Sequence, residues 1–137
     1  MDISVLLVLI LILVIVYFFS KRSSYSHTHP VLDHIRRVFV CIDDRYKDIV
    51  LRIGNSSHTL NKSVISLCIY QPGTDILYDL NTLVYVALHE LAHVASVTEH
   101  HTPEFKKNFV EMLEKAEKCG FFDPKRPLAK SYCGVEM

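Results

Sequence analysis

The chain has 137 residues, room for one domain. Fifteen Lys and Arg balance fifteen Asp and Glu, so no net basic charge singles out nucleic acid as a direct partner. The four cysteines, Cys41, Cys68, Cys119 and Cys133, are far apart and form no CxxC pair.

The chain opens with ISVLLVLILILVIVYFF, residues 3 to 19, without a charge. A helix there is about 25 Å long, at the short end of what crosses a bilayer. A cleaved signal peptide fits less well, because no basic segment precedes the run and no small-x-small site follows it. The expectation is a transmembrane signal anchor over 1–20. Lys21 and Arg22 follow the span and only Asp2 precedes it, so the positive-inside tendency places the rest of the chain on the cytosolic side. In a reducing cytosol the four cysteines are expected as free thiols. Asn55-Ser-Ser and Asn61-Lys-Ser are glycosylation acceptors if the orientation is reversed.

Residues 21–29 are short and polar and read as a tether. About 115 residues remain, enough for one modest core, and the domain is set at 30–137. Pro30 suits a first helical turn, and Val31, Leu32, Ile35, Val38 and Phe39 keep a 3.6-residue period, so a helix is predicted over 30–41. Residues 48–53, DIVLRI, and 64–70, VISLCIY, read as strands, with a short third at 58–60. Short connections favour a small antiparallel sheet.

From Asn81 the pattern turns helical, with Asn81 or Asp79 as cap, and TLVYVALHELAHVAS is apolar almost all round, as in a helix inside a domain. Thr102 and Pro103 start another helix, whose apolar face is Phe105, Phe109, Met112, Leu113 and Ala116. Glu111 with Lys115 and Glu114 with Lys118 are spaced as helix-surface pairs. Gly120 stops that helix, and the tail reads as an extended arm. The fold class is α+β.

The chemistry concentrates in the predicted interior helix. His89 and His93 are four apart, so their rings leave one face about a turn from each other and can share one zinc ion. Glu90 lies roughly 100° round the helix from His89, where a carboxylate can act as general base without ligating. This is the HExxH pattern of zinc metallopeptidases. In an apolar helix these polar groups need partners, since each left unsatisfied costs about 1–3 kcal/mol. A catalytic zinc takes a third protein ligand. His100 and His101 both stand where the chain turns into the next helix, and His101 directly precedes the Thr-Pro start. Glu99 and Glu104 are rivals, although Glu104 is accounted for by the helix N-terminus.

The run HELAHVASVTEHHTPEFKKNF resembles the active-site helix pair of the WLM and SprT-like metallopeptidases. There, HExxH is followed by a histidine that precedes a three-residue step to phenylalanine. His101-Thr-Pro-Glu-Phe105 matches that step, and the resemblance therefore favours His101. YDLNTLVYVALHELAHV, TLNKSVISLCI and Tyr132-Cys133-Gly134 are similar to the small WLM-like proteins of large cytoplasmic DNA viruses. The likeness covers roughly residues 56 to 134. It implies a minimal zincin-like domain, zinc held by His89, His93 and His101, Glu90 as general base, and a virion or host-cell membrane setting. The cellular relatives carry DNA-binding or ubiquitin-like modules, and nothing like them stands in this chain.

The expected function is a membrane-anchored zinc metallopeptidase acting on a protein or peptide substrate. The alternative is a non-catalytic viral structural or binding protein braced by zinc. His27, His29, His34 and His58 are expected in ordinary contacts. Cys133 is expected as a packed thiol rather than a zinc ligand, and Tyr78, Tyr85 and Tyr132 are open candidates for stabilising an oxyanion.

Overall fold

A computed structural model describes residues 1–23 and 29–136. Helix α1, Ile3–Ser23, contains the apolar run, but among the described residues no helix is long and apolar enough to cross a membrane. This corrects the expected anchor over 1–20. Ser20, Lys21, Arg22 and Ser23 occupy the last turn of α1, leaving about 25 Å of apolar helix against a hydrocarbon layer of roughly 30 Å. The expected orientation and cytosolic placement lose their premise with it. Of the expected tether, residues 24–28 lie outside the described residues, His27 among them.

The folded domain begins with α2, Pro30–Ile42. Its N-cap is His29, whose Nδ1 accepts from Val31 N at 3.2 Å while Nε2 meets the Tyr70 hydroxyl at 3.1 Å. Ile35, Val38 and Phe39 of α2 are fully enclosed. A 3-10 turn, Asp44–Asp48, follows and takes the first residue of the expected strand 48–53; β1 is Val50–Ile53. Strand β2 is His58–Leu60 and β3 is Val64–Leu67.

The sheet order is β1-β3-β2. β2 runs antiparallel to β3, as expected, but β1 pairs parallel to β3, with Val50 opposite Val64 and Ile53 opposite Leu67. The sheet is therefore mixed. The chain between β1 and β3 is long enough to return to the starting end, and β2 forms inside that connection. Gly54 follows β1 where a Cβ would lie 2.3 Å from Ser66 Oγ, so any larger residue there would displace the Ser66 hydroxyl.

Helix α3, Leu80–Ala95, packs on α2, on β2 and β3, and on α4, Pro103–Lys118. Asp79 caps α3 by accepting from Thr82 N at 3.3 Å. Leu83, Val84, Leu88 and Leu91 join Ile65, Leu67 and Ile69 in the core. Each such side chain contributes about 1.5–3 kcal/mol on burial. Thr102 caps α4, and Gly120, at φ 78°, closes it through a bond from Phe121 N to Ala116 O at 2.9 Å. The expected surface pairing on α4 changes partners. Glu111 meets Lys107 at 4.0 Å, and Lys115 donates to Ile42 O at 3.0 Å.

The tail folds into a hairpin, β4 Ser131–Tyr132 with β5 Val135–Glu136, which pairs with itself and not with the main sheet. The cysteines are not free thiols. Cys41 is bonded to Cys119 and Cys68 to Cys133. Their spacing, 78 and 65 residues, hid the pairing; the fold brings the Cα atoms to 6.6 and 6.4 Å. Disulfides persist where thiols are oxidised.

Candidate metal centre

Apolar residues all round α3 bury it, and that burial carries His89 and His93 to the helix face under α4. Their ring centroids are 5.0 Å apart, the outcome of four-residue spacing on a helix. The loop from Ser96 to Thr102 then turns back. Ser96 caps α3, its hydroxyl donating to Ala92 O at 2.7 Å, and the Lys62 ammonium donates to the Ser96 carbonyl. His100 takes a left-handed backbone, φ 68°, which reverses the chain and brings His101 over the helix. The His101 ring lies 4.9 Å from His89 and 5.1 Å from His93 between centroids.

One ring nitrogen from each of His89, His93 and His101 falls within 4.8 Å of the other two. The Nε2 atoms of His89 and His101 are 3.1 Å apart. A tetrahedral zinc bonded at about 2.0–2.1 Å holds its nitrogens roughly 3.3 Å from each other, so the three fit one ion with small ring rotations. His100 and Glu99 are not in this cluster, and Glu104 is engaged elsewhere, accepting from Val97 N at 2.6 Å. Beneath the cluster lies Phe105, buried, its ring 4.9 Å from His89, 4.4 Å from His93 and 4.8 Å from His101. This aromatic floor excludes water from one side of the imidazoles.

Electrostatics agrees with a ligand role. Burial, then the neighbouring His93 and His101, lower the pKa of His89 to about 4. Burial first, and then His101, lowers that of His93 as well. Neutral imidazoles keep a lone pair free for a cation.

Glu90 is buried on the adjoining face of α3. Its carboxylate accepts a hydrogen bond from Thr59 Oγ1 at 2.8 Å, and the same hydroxyl lies 3.1 Å from the Glu90 carbonyl. Burial raises its pKa, opposed by the Thr59 hydroxyl. Thr59 was not singled out from the sequence. Its signal was the alternation of β2, in which Thr59 points inward between exposed His58 and Leu60. Glu90 and His89 open onto a cleft of about 580 Å³, with Tyr85 and Val86 on the same helix. The opposite wall is the tail, through Leu128, Ala129 and Tyr132. Of the three tyrosines left open, Tyr85 and Tyr132 line the cleft. The Tyr132 hydroxyl is committed, donating to Cys68 O and meeting Ser57 Oγ at 2.6 Å, and burial pushes its pKa up to about 12. Tyr78 turns its hydroxyl to Cys133 N at 2.7 Å.

The chain is similar to viral proteins. Uncharacterized protein 136R of Invertebrate iridescent virus 6 is 41% identical over 88 residues, 63% of this chain and 49% of that protein. Uncharacterized protein 042R of Invertebrate iridescent virus 3 is 42% identical over 79 residues, 58% of this chain and 50% of that protein. Uncharacterized protein R325 of Acanthamoeba polyphaga mimivirus is 42% identical over 60 residues, 43% of this chain and 30% of that protein. The chain thus spans about half the length of the first two relatives and less of the third. No family model matches the chain, and no solved structure does.

Proposed function

We propose that this chain is a zinc-dependent metallopeptidase of the WLM and SprT-like kind, working in a viral setting. One observation carries the reading: the His89, His93 and His101 nitrogens lie within 4.8 Å of one another, and Glu90 stands beside them at a cleft. His89, His93 and His101 would hold the ion. When bound, zinc supplies Lewis acidity, polarising a carbonyl and making water acidic near neutral pH. Phe105 supports all three imidazoles from below and limits their rotation. Glu90 takes the proton of the attacking water and passes it to the leaving amine. Thr59 fixes one carboxylate oxygen, and Glu90 borders the cleft. The cleft, between α3 and the tail, receives the peptide.

The second reading, a zinc-braced protein without catalysis, draws on the Thr59–Glu90 bond, which ties β2 to α3 and gives Glu90 a structural duty. Against it, two disulfides already brace the domain. Zinc content and cleavage of a peptide library, measured on the parent and on Glu90→Gln, separate the two. The expectation is one zinc per chain in both, with cleavage slowed at least about 100-fold in the variant. Equal zinc with no cleavage by either protein favours the brace. A parent that binds no zinc removes both readings.

A further inference from the structure

The tail that walls the cleft is held by one covalent link, Cys68–Cys133, which joins β4–β5 to the end of β3. The hairpin shares no strand pairing with the main sheet. The start of the tail is tied to α3, where Asn81 accepts from Asp123 N at 2.8 Å and donates to Asp123 O at 3.0 Å and Arg126 pairs with Asp79 at 2.9 Å; beyond it the anchors gather round Tyr132 and Cys133. Tyr132 closes a ring of hydrogen bonds: Cys68 N donates to Ser57 Oγ at 3.0 Å, Ser57 meets Tyr132 Oη at 2.6 Å, and Tyr132 donates to Cys68 O. Cys133 N donates to the Tyr78 hydroxyl at 2.7 Å, and Ala129 N to Thr82 Oγ1 at 3.0 Å. Two of these contacts converge on Cys68, the residue the disulfide also holds. Cys133 keeps a left-handed backbone, φ 48°, uncommon for a residue other than glycine, so its conformation depends on what ties it down.

Cys68 is buried, so Cys133 is the more open side of the pair. Cys133 is half-buried and borders both the cleft at Glu90 and a second cleft, of about 680 Å³, on the other side. The other disulfide joins the last turn of α2 to the exposed Cys119 at the end of α4, so a reductant reaches it as well, but neither of its cysteines lines either cleft.

We propose that Cys68–Cys133 is a redox latch on the substrate cleft: a dithiol reductant opens it and frees the tail wall facing Glu90, without dismantling the histidine cluster. In the step, one thiolate of the reductant attacks a sulfur of the pair, forming a mixed disulfide and expelling the other cysteine as thiolate. The second thiol of the reductant then displaces the protein sulfur. The protein gains two electrons and two protons, and the reductant leaves as a cyclic disulfide. The histidine cluster is insulated because α3, the 96–102 loop and α4 build it without the tail. The latch rests on the peptidase reading only in that the cleft is taken to receive substrate.

The test is hydrogen exchange on the full-length chain, comparing the oxidised parent, the parent reduced with tris(2-carboxyethyl)phosphine, which opens disulfides without the zinc chelation of a dithiol, Cys133→Ser and Cys41→Ser, each with zinc content measured. Amides of residues 129–133 are expected to exchange at least about 10-fold faster after reduction and in Cys133→Ser. Zinc content is expected at the parental value throughout, and amides of α3 are expected to accelerate less than those of 129–133, since loss of either cross-link also lowers global stability. In Cys41→Ser the tail should accelerate no more than α3 does. With a peptide that the parent cleaves, reduction should raise KM at least about fivefold at unchanged zinc content. Equal protection of 129–133 in the oxidised and reduced parent overturns the latch. So does a loss of zinc on reduction, or an acceleration of α3 as large as that of 129–133, since the disulfide would then hold the whole site. If exchange changes as expected but no form cleaves any peptide, the latch stands and the peptidase reading falls.

Discussion

Replacing Cys41 and Cys119 together with alanine removes the link between α2 and α4. In the chain-entropy account, a link across 78 residues restricts the unfolded chain by about 15 cal/mol/K, or roughly 4.5 kcal/mol at 25 °C. The native side of the balance changes less, because α2 and α4 keep other ties. Lys115 Nζ donates to Ile42 O at 3.0 Å, and Ala116 and Met112 stay packed in the core. Alanine leaves no hydroxyl to satisfy. The expected loss is about 3–5 kcal/mol, a large part of the roughly 5–15 kcal/mol that holds a domain of this size. In urea monitored by far-UV circular dichroism without reductant, the midpoint should fall by about 2 M, and the slope should rise as the unfolded chain expands. A loss below about 1 kcal/mol, or four titratable thiols in the parent purified without reductant, refutes the reasoning.

Thr59→Val removes the donor to a buried carboxylate and should cost about 1–3 kcal/mol in the same assay, with Thr59→Ser restoring most of it; a valine variant as stable as the parent would show the bond to be idle. Phe39→Ala empties the centre of the core and should cost about 3–5 kcal/mol in thermal or urea unfolding. His101→Ala, assayed by competition with a chromogenic chelator, should weaken zinc binding far more than His100→Ala, and the reverse order would reassign the third ligand.

Much of the fold was written locally. The boundaries of α2, the Asp79 and Thr102 caps, the apolar face of α4 and the stop at Gly120 all follow from residues within a turn or two of each other. So does the meeting of His89 and His93, because four-residue spacing on a helix needs no distant partner. Residue spacing alone left His100 and His101 almost even, and the motif resemblance favoured His101. In the fold, one left-handed residue and the docking of α4 on α3 together aim His101 at the other two rings.

Other features depend on contacts between residues far apart in the chain, to which periodicity is blind. The parallel pairing of β1 with β3, the Thr59 bond to Glu90, and the use of the tail as a cleft wall belong here. The disulfides do as well, since nothing in a spacing of 78 or 65 residues tells which sulfurs will face each other. The apolar run at the N-terminus misled for a related reason: composition identifies a helix, while spanning a bilayer also requires apolar length, which α1 lacks. Local sequence thus determined the helices, their caps and two of the three clustered histidines, because those depend on short-range geometry. Tertiary packing decided the third histidine, the partner of Glu90 and the walls of the cleft, because only the folded chain brings those groups within bonding distance.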